Sequence, residues 1–214
     1  MPREPITVYL VRHGESEWNR EGRIQGQSDS PLSELGMRQA QGIRDHFAGL
    51  PLTAIYASSL QRCRTIAELL VEGRDVPLVY MHGLMERSQG EWEPLLIEDA
   101  NRRYPEARQR IREDATAAPP GGESAIEVWD RLQVAWRRIL DRSHGAVAVV
   151  SHSGIISMLL GTILELPRAT PFAGYPFFIG QGSISLLEVP PRDGTVVHSI
   201  NDTCHLRGLS GGRG

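Results

Sequence analysis

Residues 8–15 read Val8-Tyr9-Leu10-Val11-Arg12-His13-Gly14-Glu15. The short apolar run of Val8, Leu10 and Val11 has the composition of a buried parallel strand, and at its end stand a cation, an imidazole and a glycine. Open α/β sheets bind ligands just beyond the carboxyl ends of their strands. Successive strand residues face opposite sides. The strand is therefore expected to stop near Val11, with Gly14 letting the backbone bend so that Arg12 and His13 reach one crevice.

Outward from this stretch, Ser16–Pro31 is polar, carries Gly22, Gly26 and Pro31, and reads as a loop over the strand end. Ser33 caps a helix to about His46, with Leu35, Ala40, Ile43 and Phe47 near helical spacing. Ala54–Ala57 is a second strand, and Ser58 or Ser59 is expected to cap a helix through about Val71. Pro77–Tyr80 suits a short third strand. Residues 84–121 are irregular, with one or two helices ahead of the break at Pro119-Pro120-Gly121-Gly122, and read as a lid inserted over a site. Ser124 and Glu127 make a capping box for a helix to about Arg142, whose buried stripe is Val128, Leu132, Ala135 and Ile139. Ala146–Val150 is a wholly apolar strand, followed by Ser151-His152-Ser153-Gly154 and a helix to about Leu164. Ile184–Val189 and Val196–Ile200 complete a sheet as a hairpin through Pro190–Gly194, and 209–214 is expected to be a flexible tail. Strands alternating with helices predict an α/β fold, a three-layer α/β/α sandwich on a mostly parallel, mixed central sheet, with residues 1–208 forming one domain.

A chain of 214 residues can bury one sizeable core. The net charge of -3 and pI near 6.2 give no footing for a nucleic-acid partner. All 23 basic residues other than histidine are arginine, so any anion site here uses guanidinium forks or imidazoles, which suit a tetrahedral phosphate. The first residues carry no apolar core of a secretory signal. The longest apolar stretch, Ile155–Leu164, is about half a membrane span, so no membrane association is expected. Cys63 and Cys204 lie far apart without a CxxC spacing, which fits a reduced, cytoplasmic protein, monomer or homodimer.

Three junctions carry chemistry. Arg12 and His13 follow the first strand, Arg62 lies in the first turn of the helix after the second, and His152 follows Ala146–Val150. In a parallel sheet these junctions share one edge, where helix N-termini after Ser59 and His152 add N–H groups and a positive dipole end. Two guanidiniums, two imidazoles and two helix ends around one volume make a pocket for a dianionic phosphoryl group. Taken alone, Arg62 reads equally well as a surface charge, and His46, His144 and His198 read as surface residues. None of the seven histidines forms a short-spaced pair of the kind zinc sites use, so neither a metal nor another cofactor is expected.

Leu10-Val11-Arg12-His13-Gly14-Glu15-Ser16, with Trp18-Asn19, Gly22-Arg23, Gln25-Gly26, Leu32-Ser33 and Gly36, closely resembles the histidine phosphatase superfamily, also called phosphoglycerate-mutase-like. The resemblance continues through Ser58-Ser59-Leu60-Gln61-Arg62 with Thr65, Leu84-Met85-Glu86 with Gly90-Glu91-Trp92-Glu93, Gly122-Glu123-Ser124 and Ser151-His152-Ser153-Gly154. It implies that His13 is the nucleophile that becomes phosphorylated, that Arg12, Arg62 and His152 hold the phosphoryl oxygens, and that Glu86 is general acid and then base. It further implies substrate contacts from Asn19, Gln25, Gly26 and the Ser153 N–H. His205, in Asn201-Asp202-Thr203-Cys204-His205-Leu206, would sit near the non-phosphate end of the substrate, or be a plain surface histidine.

Physical chemistry agrees with these roles. A phosphoryl transition state is loose, so catalysis is mostly positioning and charge stabilisation. His13 must present an unprotonated nitrogen, so its other nitrogen should donate to a carbonyl, while His152 is free to be cationic. A phosphate dianion beside Glu86 disfavours a second negative charge and favours the protonated acid when substrate is bound. Arg87 would oppose that if it pointed inward, so it is expected to point away. The expected activity is metal-independent hydrolysis of a small phosphorylated metabolite: a phosphoserine, a sugar phosphate, a phosphoglycerate derivative or another ester. The alternatives are a cofactor-dependent phosphoglycerate mutase using the same site, a phosphoprotein phosphatase and a non-catalytic phospho-ligand-binding protein. Mutases of the family carry a longer insertion, with a clamping Lys, where this chain has only residues 87–151 and no Lys. Pro94 also stands where a Gly often follows the Trp-Glu pair.

Overall fold

The computed structural model describes residues 4–166, 177–191 and 194–209. Strands β1 (Ile6–Arg12), β2 (Leu52–Ala57), β3 (Leu78–Tyr80), β4 (Ala146–Ser151), β5 (Ile184–Val189) and β6 (Val196–Asp202) form one sheet in the order β3-β2-β4-β1-β5-β6. The pairs β2–β3, β2–β4 and β1–β4 are parallel, while β5 runs antiparallel to β1 and β6 antiparallel to β5. The sheet is thus mixed and mostly parallel, as the sequence predicts.

Its central strands are apolar on both faces because both faces are covered. Val8 and Leu10 of β1, Ala54 and Tyr56 of β2, and Val147 and Val149 of β4 share one core. That core also holds Val128, Leu132 and Ile139 of α6 (Ala125–Arg142) and Ile155 and Leu159 of α7 (Ser153–Ile163). The alternate residues Val11, Ile55, Ala57, Ala148 and Val150 pack with Ile43 and Phe47 of α2 (Glu34–Phe47) and Ile66 and Leu70 of α3 (Gln61–Val71). The Ser33 cap and the Ser124–Glu127 capping box form where the sequence places them.

The start of α3 departs from expectation. Neither Ser58 nor Ser59 caps it; Leu60 is the N-cap residue, and the Gln61 N–H is taken by Asp29 Oδ1 at 2.7 Å. Ser58 turns into the interior instead.

Between β1 and α2 lies the short α1 (Glu17–Arg20), and between β3 and α6 lie α4 (Ile97–Arg103) and α5 (Pro105–Glu113). Ile24, Trp92 and Ala100, with Leu95 and Ile111 against them, make a small third core that joins the 84–121 segment to the Ser16–Pro31 loop. Among the described residues no helix is long and apolar enough to cross a membrane. Residues 210–214 of the expected tail, and 192–193 of the expected hairpin turn, lie outside the described residues.

Candidate active site

β1 runs one residue further than its apolar pattern suggests. Arg12 still pairs with Ser151 of β4, and the His13 N–H donates to the Ser151 carbonyl at 3.1 Å. Gly14 is needed for close approach rather than for a left-handed turn. A Cβ there would lie 2.7 Å from the Gly36 carbonyl in the first turn of α2.

His13 is buried, with Nδ1 2.7 Å from the Gly14 carbonyl. A carbonyl only accepts, so Nδ1 carries the proton and Nε2 keeps its lone pair. Burial, then Arg62 and Arg12, hold the ring well below the usual histidine pKa. Its neutral form is therefore the resting one.

Two guanidiniums flank it. Arg12 Nη1 donates to the Ile179 carbonyl, and Arg62 donates to Ser28 O at 2.9 Å and Gly26 O at 2.8 Å. The Nε of each is buried without a hydrogen-bond partner among the described residues. A buried unpaired donor costs roughly 1–3 kcal/mol. Both side chains line the same pocket as His13. Burial lowers both pKa values, that of Arg12 to about 10, yet both stay charged at neutral pH.

His152 sits at the N-cap of α7, fully buried, with Nε2 2.8 Å from Ser58 Oγ. The sequence leaves His152 free to be cationic, but its surroundings in the structure favour the neutral ring. Burial, Arg62, His13 and Arg12 push its pKa well below the ordinary value. A dianion beside it would oppose that shift and favour the charged ring.

Glu86 is held by two N–H donors, from Arg87 at 3.0 Å and from Gly154 in the first turn of α7 at 3.2 Å. Arg87 turns away, as expected, and its guanidinium donates to the Glu123 and Ala117 carbonyls.

A pocket of about 270 Å³ is lined by Arg12, His13, Asn19, Gln25, Gly26, Arg62, Glu86 and Ser153, while His152 is not in that lining and lies buried against the His13 ring. Asn19 Oδ1 accepts from the Ser16 N–H, and Gln25 Oε1 accepts from the Ser16 hydroxyl at 2.7 Å. Their oxygens are thus engaged, and their NH₂ groups remain to donate. Gly26 has φ +51, and Glu93 closes the loop from outside by accepting from Gln27 N, Ser28 N and Gln89 N.

His205, expected either near the substrate or as a surface histidine, is also outside that lining. Its Nε2 meets the Gly182 carbonyl at 3.0 Å and its ring faces His46 at 5.2 Å. The 3₁₀ turn Cys204–Leu206 packs on α2 instead.

Sequence reasoning also missed contributors. Arg23, Ile24, Gln89, Ile97 and Arg108 line the pocket on the side of the 84–121 segment. Arg131 of α6 donates to the Met85 and Glu86 carbonyls and pairs with Glu123, fixing the turn that carries Glu86. Burial opposes ionisation of Glu123, but the Arg131 hydrogen bonds and the Ser88 N–H outweigh it and lower its pKa. The Gly122-Glu123-Ser124 motif was the available signal for this pair. Nothing local in the sequence marks Arg108.

The family model described as the histidine phosphatase superfamily (branch 1) matches residues 8–203. A protein of Salmonella choleraesuis named "Probable phosphoglycerate mutase GpmB" is 33% identical over 207 residues, covering 94% of this chain and 95% of the relative. The solved structure of Bacillus stearothermophilus YhfR superposes with a TM-score of 0.84 at 28% identity, covering 94% of this chain and 99% of that one. A mycobacterial glucosyl-3-phosphoglycerate phosphatase, solved in complex with VO3, gives a TM-score of 0.79 at 29% identity, covering 92% and 99%.

Proposed function

The chain belongs to branch 1 of the histidine phosphatase superfamily, an enzyme family of phosphoryl transfer, and from that premise we propose that it hydrolyses a small phosphomonoester through a phosphohistidine on His13. The observation that carries this reading is the neutral, tautomer-fixed His13, its Nε2 beside two guanidiniums whose buried Nε donors have no partner.

In the first step His13 Nε2 attacks phosphorus as the ester P–O bond breaks, and protonated Glu86 gives its proton to the departing oxygen. In the second, water attacks the phosphohistidine, Glu86 takes a water proton, the N–P bond breaks, and inorganic phosphate leaves. Arg12, Arg62 and charged His152 carry the negative charge of the equatorial oxygens throughout. Each charge-assisted hydrogen bond contributes roughly 1.5–3 kcal/mol. This cationic cage does the work that a metal performs in other phosphatases.

The same site returning its phosphoryl group to a second hydroxyl would be a mutase, a reading favoured by the name of the Salmonella relative. The shorter segment between Glu86 and His152 and the lack of any Lys favour hydrolysis. Release of inorganic phosphate from a panel of phosphomonoesters, with chelator present, tests this. Interconversion of 2- and 3-phosphoglycerate outpacing phosphate release would overturn it. A protein that binds phosphate but neither hydrolyses nor transfers it would be a binding module on the same fold.

A further inference from the structure

The exit of β1 leans on a single turn, residues 179–183, which leads into β5. The turn is closed by the Ser183 N–H, which donates to the Gly180 carbonyl at 3.0 Å. It meets the site at three points. The Arg12 N–H donates to the Ser183 carbonyl at 3.0 Å, the Gly182 N–H donates to the His13 carbonyl at 3.0 Å, and Arg12 Nη1 donates to the Ile179 carbonyl. That last bond is the one side-chain hydrogen bond of Arg12 among the described residues, so the Ile179 carbonyl aims its guanidinium. Ile179 is itself buried in the core that holds β1 and α7.

The other side of the turn is held by the C-terminal segment. Asn201 of β6 has φ +61, a left-handed conformation that asparagine tolerates better than most residues, and its Oδ1 accepts from the Gly180 N–H. His205 Nε2 lies 3.0 Å from the Gly182 carbonyl, which only accepts, so the ring donates. Gly182 thus stands between two histidines, its N–H on the backbone of His13 and its carbonyl on the ring of His205. It has φ +70, and a Cβ there would lie 3.0 Å from Leu206 Cδ1 and 3.4 Å from Gln39 Cβ, so the turn is pressed between the Cys204–Leu206 turn and α2. Neither Asn201 nor His205 lines the pocket. Their route to the site is through this turn.

We propose that Asn201 and His205 are positioning residues: they clamp residues 179–183 from behind, and the clamped turn holds the Arg12 guanidinium and the His13 backbone in register for the phosphoryl group. This rests on the roles given above to Arg12 and His13, and it assigns His205 no contact with substrate.

The test reads phosphoryl binding separately from turnover, with orthovanadate titrated by calorimetry beside kinetics on several phosphomonoesters. His205→Ala should weaken orthovanadate about tenfold, the scale of one hydrogen bond. It should lower kcat/KM by a similar factor on every ester, whatever its leaving group. His205→Gln, which keeps an N–H donor, should recover most of both. Asn201→Gly keeps the left-handed backbone but deletes the acceptor, and should weaken orthovanadate in the same direction, while Asn201→Asp should not. In an Arg12→Lys background, adding His205→Ala should cost less than about twofold more, because the clamp acts through the missing guanidinium. Losses confined to one ester with orthovanadate unchanged would place His205 against the leaving group and overturn the proposal. A lowered melting temperature with binding and turnover intact at 20 °C would overturn it too, as would additive losses with Arg12→Lys. Failure of the hydrolase reading looks different, since no ester would then release phosphate while orthovanadate binding still followed the clamp.

Discussion

The rings of His13 and His152 meet edge to face, with centroids 5.1 Å apart and planes at 64°, and both are buried. Burial and the neighbouring guanidiniums of Arg12 and Arg62 push the pKa of both rings well below the ordinary value, so both are neutral. Several expected outcomes derive from that relationship.

The first concerns stability against pH. Both rings have folded-state pKa values below the unfolded value of 6.5. Below pH 6.5 the unfolded chain therefore binds more protons than the folded one, and stability falls as the pH drops. Each ring contributes a slope of about 1.4 kcal/mol per pH unit in that window. Half-buried His205 adds to the same direction. Urea midpoints between pH 7.5 and 5.5 should fall in the parent and fall less steeply in His152→Asn. Parallel lines for the two proteins would contradict neutral burial of His152.

Arg62 moors the loop through Gly26 O and Ser28 O, and in the proposed mechanism its charge also holds the phosphoryl oxygens. A lysine keeps the charge but cannot make this fork. Arg62→Lys should lose about 100-fold in kcat/KM, the scale of one or two charge-assisted hydrogen bonds. Retention of more than a third of parent activity would show that charge alone suffices.

In the proposed mechanism Glu86 protonates the leaving oxygen, so its loss should matter in proportion to how poorly that oxygen leaves. Glu86→Gln is expected to slow alkyl phosphates by about 10²–10⁴-fold, the usual contribution of general acid catalysis. It should slow p-nitrophenyl phosphate far less in the phosphorylation step, read as the burst rate. An equal loss in both bursts would remove Glu86 from the acid role.

Arg131 is not in the pocket lining but holds the Met85 and Glu86 carbonyls and the Glu123 carboxylate. Arg131→Ala leaves Glu123 buried beside Ser88 and Gln27 without its cation. Breaking a largely buried pair of this kind should cost about 3 kcal/mol of stability. Above its melting transition the comparison is meaningless, but at 20 °C the variant should show lowered kcat with KM within about twofold, and Glu123→Gln should be milder. A raised KM with unchanged kcat would instead place Arg131 in substrate binding.

Much of this was legible in the sequence because its signals are local. The apolar runs of β1 and β4, the Ser33 cap and the Ser124–Glu127 box each lie within a few residues of one another, and His13, Arg62 and His152 fall at strand exits. The resemblance to the family supplied Glu86, which nothing in its own neighbourhood distinguishes from a surface carboxylate. What was missed depends on contacts between distant segments. Asp29 caps α3 from across the loop, Ser58 leaves the cap position to meet His152, and Arg108 reaches the pocket only because Trp92 carries it there. His205 stays ambiguous in sequence for the converse reason: a C-terminal motif gives its neighbours in sequence, not the Gly182 carbonyl and His46 ring it meets in the fold.

The central claim is that the phosphoryl group passes through Nε2 of His13, and chemical trapping tests it most directly. Enzyme mixed with a ³²P-labelled phosphomonoester and quenched in alkali should carry label that survives base, is released by acid, and maps to the peptide holding His13. His13→Ala should carry none and release no phosphate. Label on another residue, or a His13→Ala variant turning over as fast as the parent, would contradict the account.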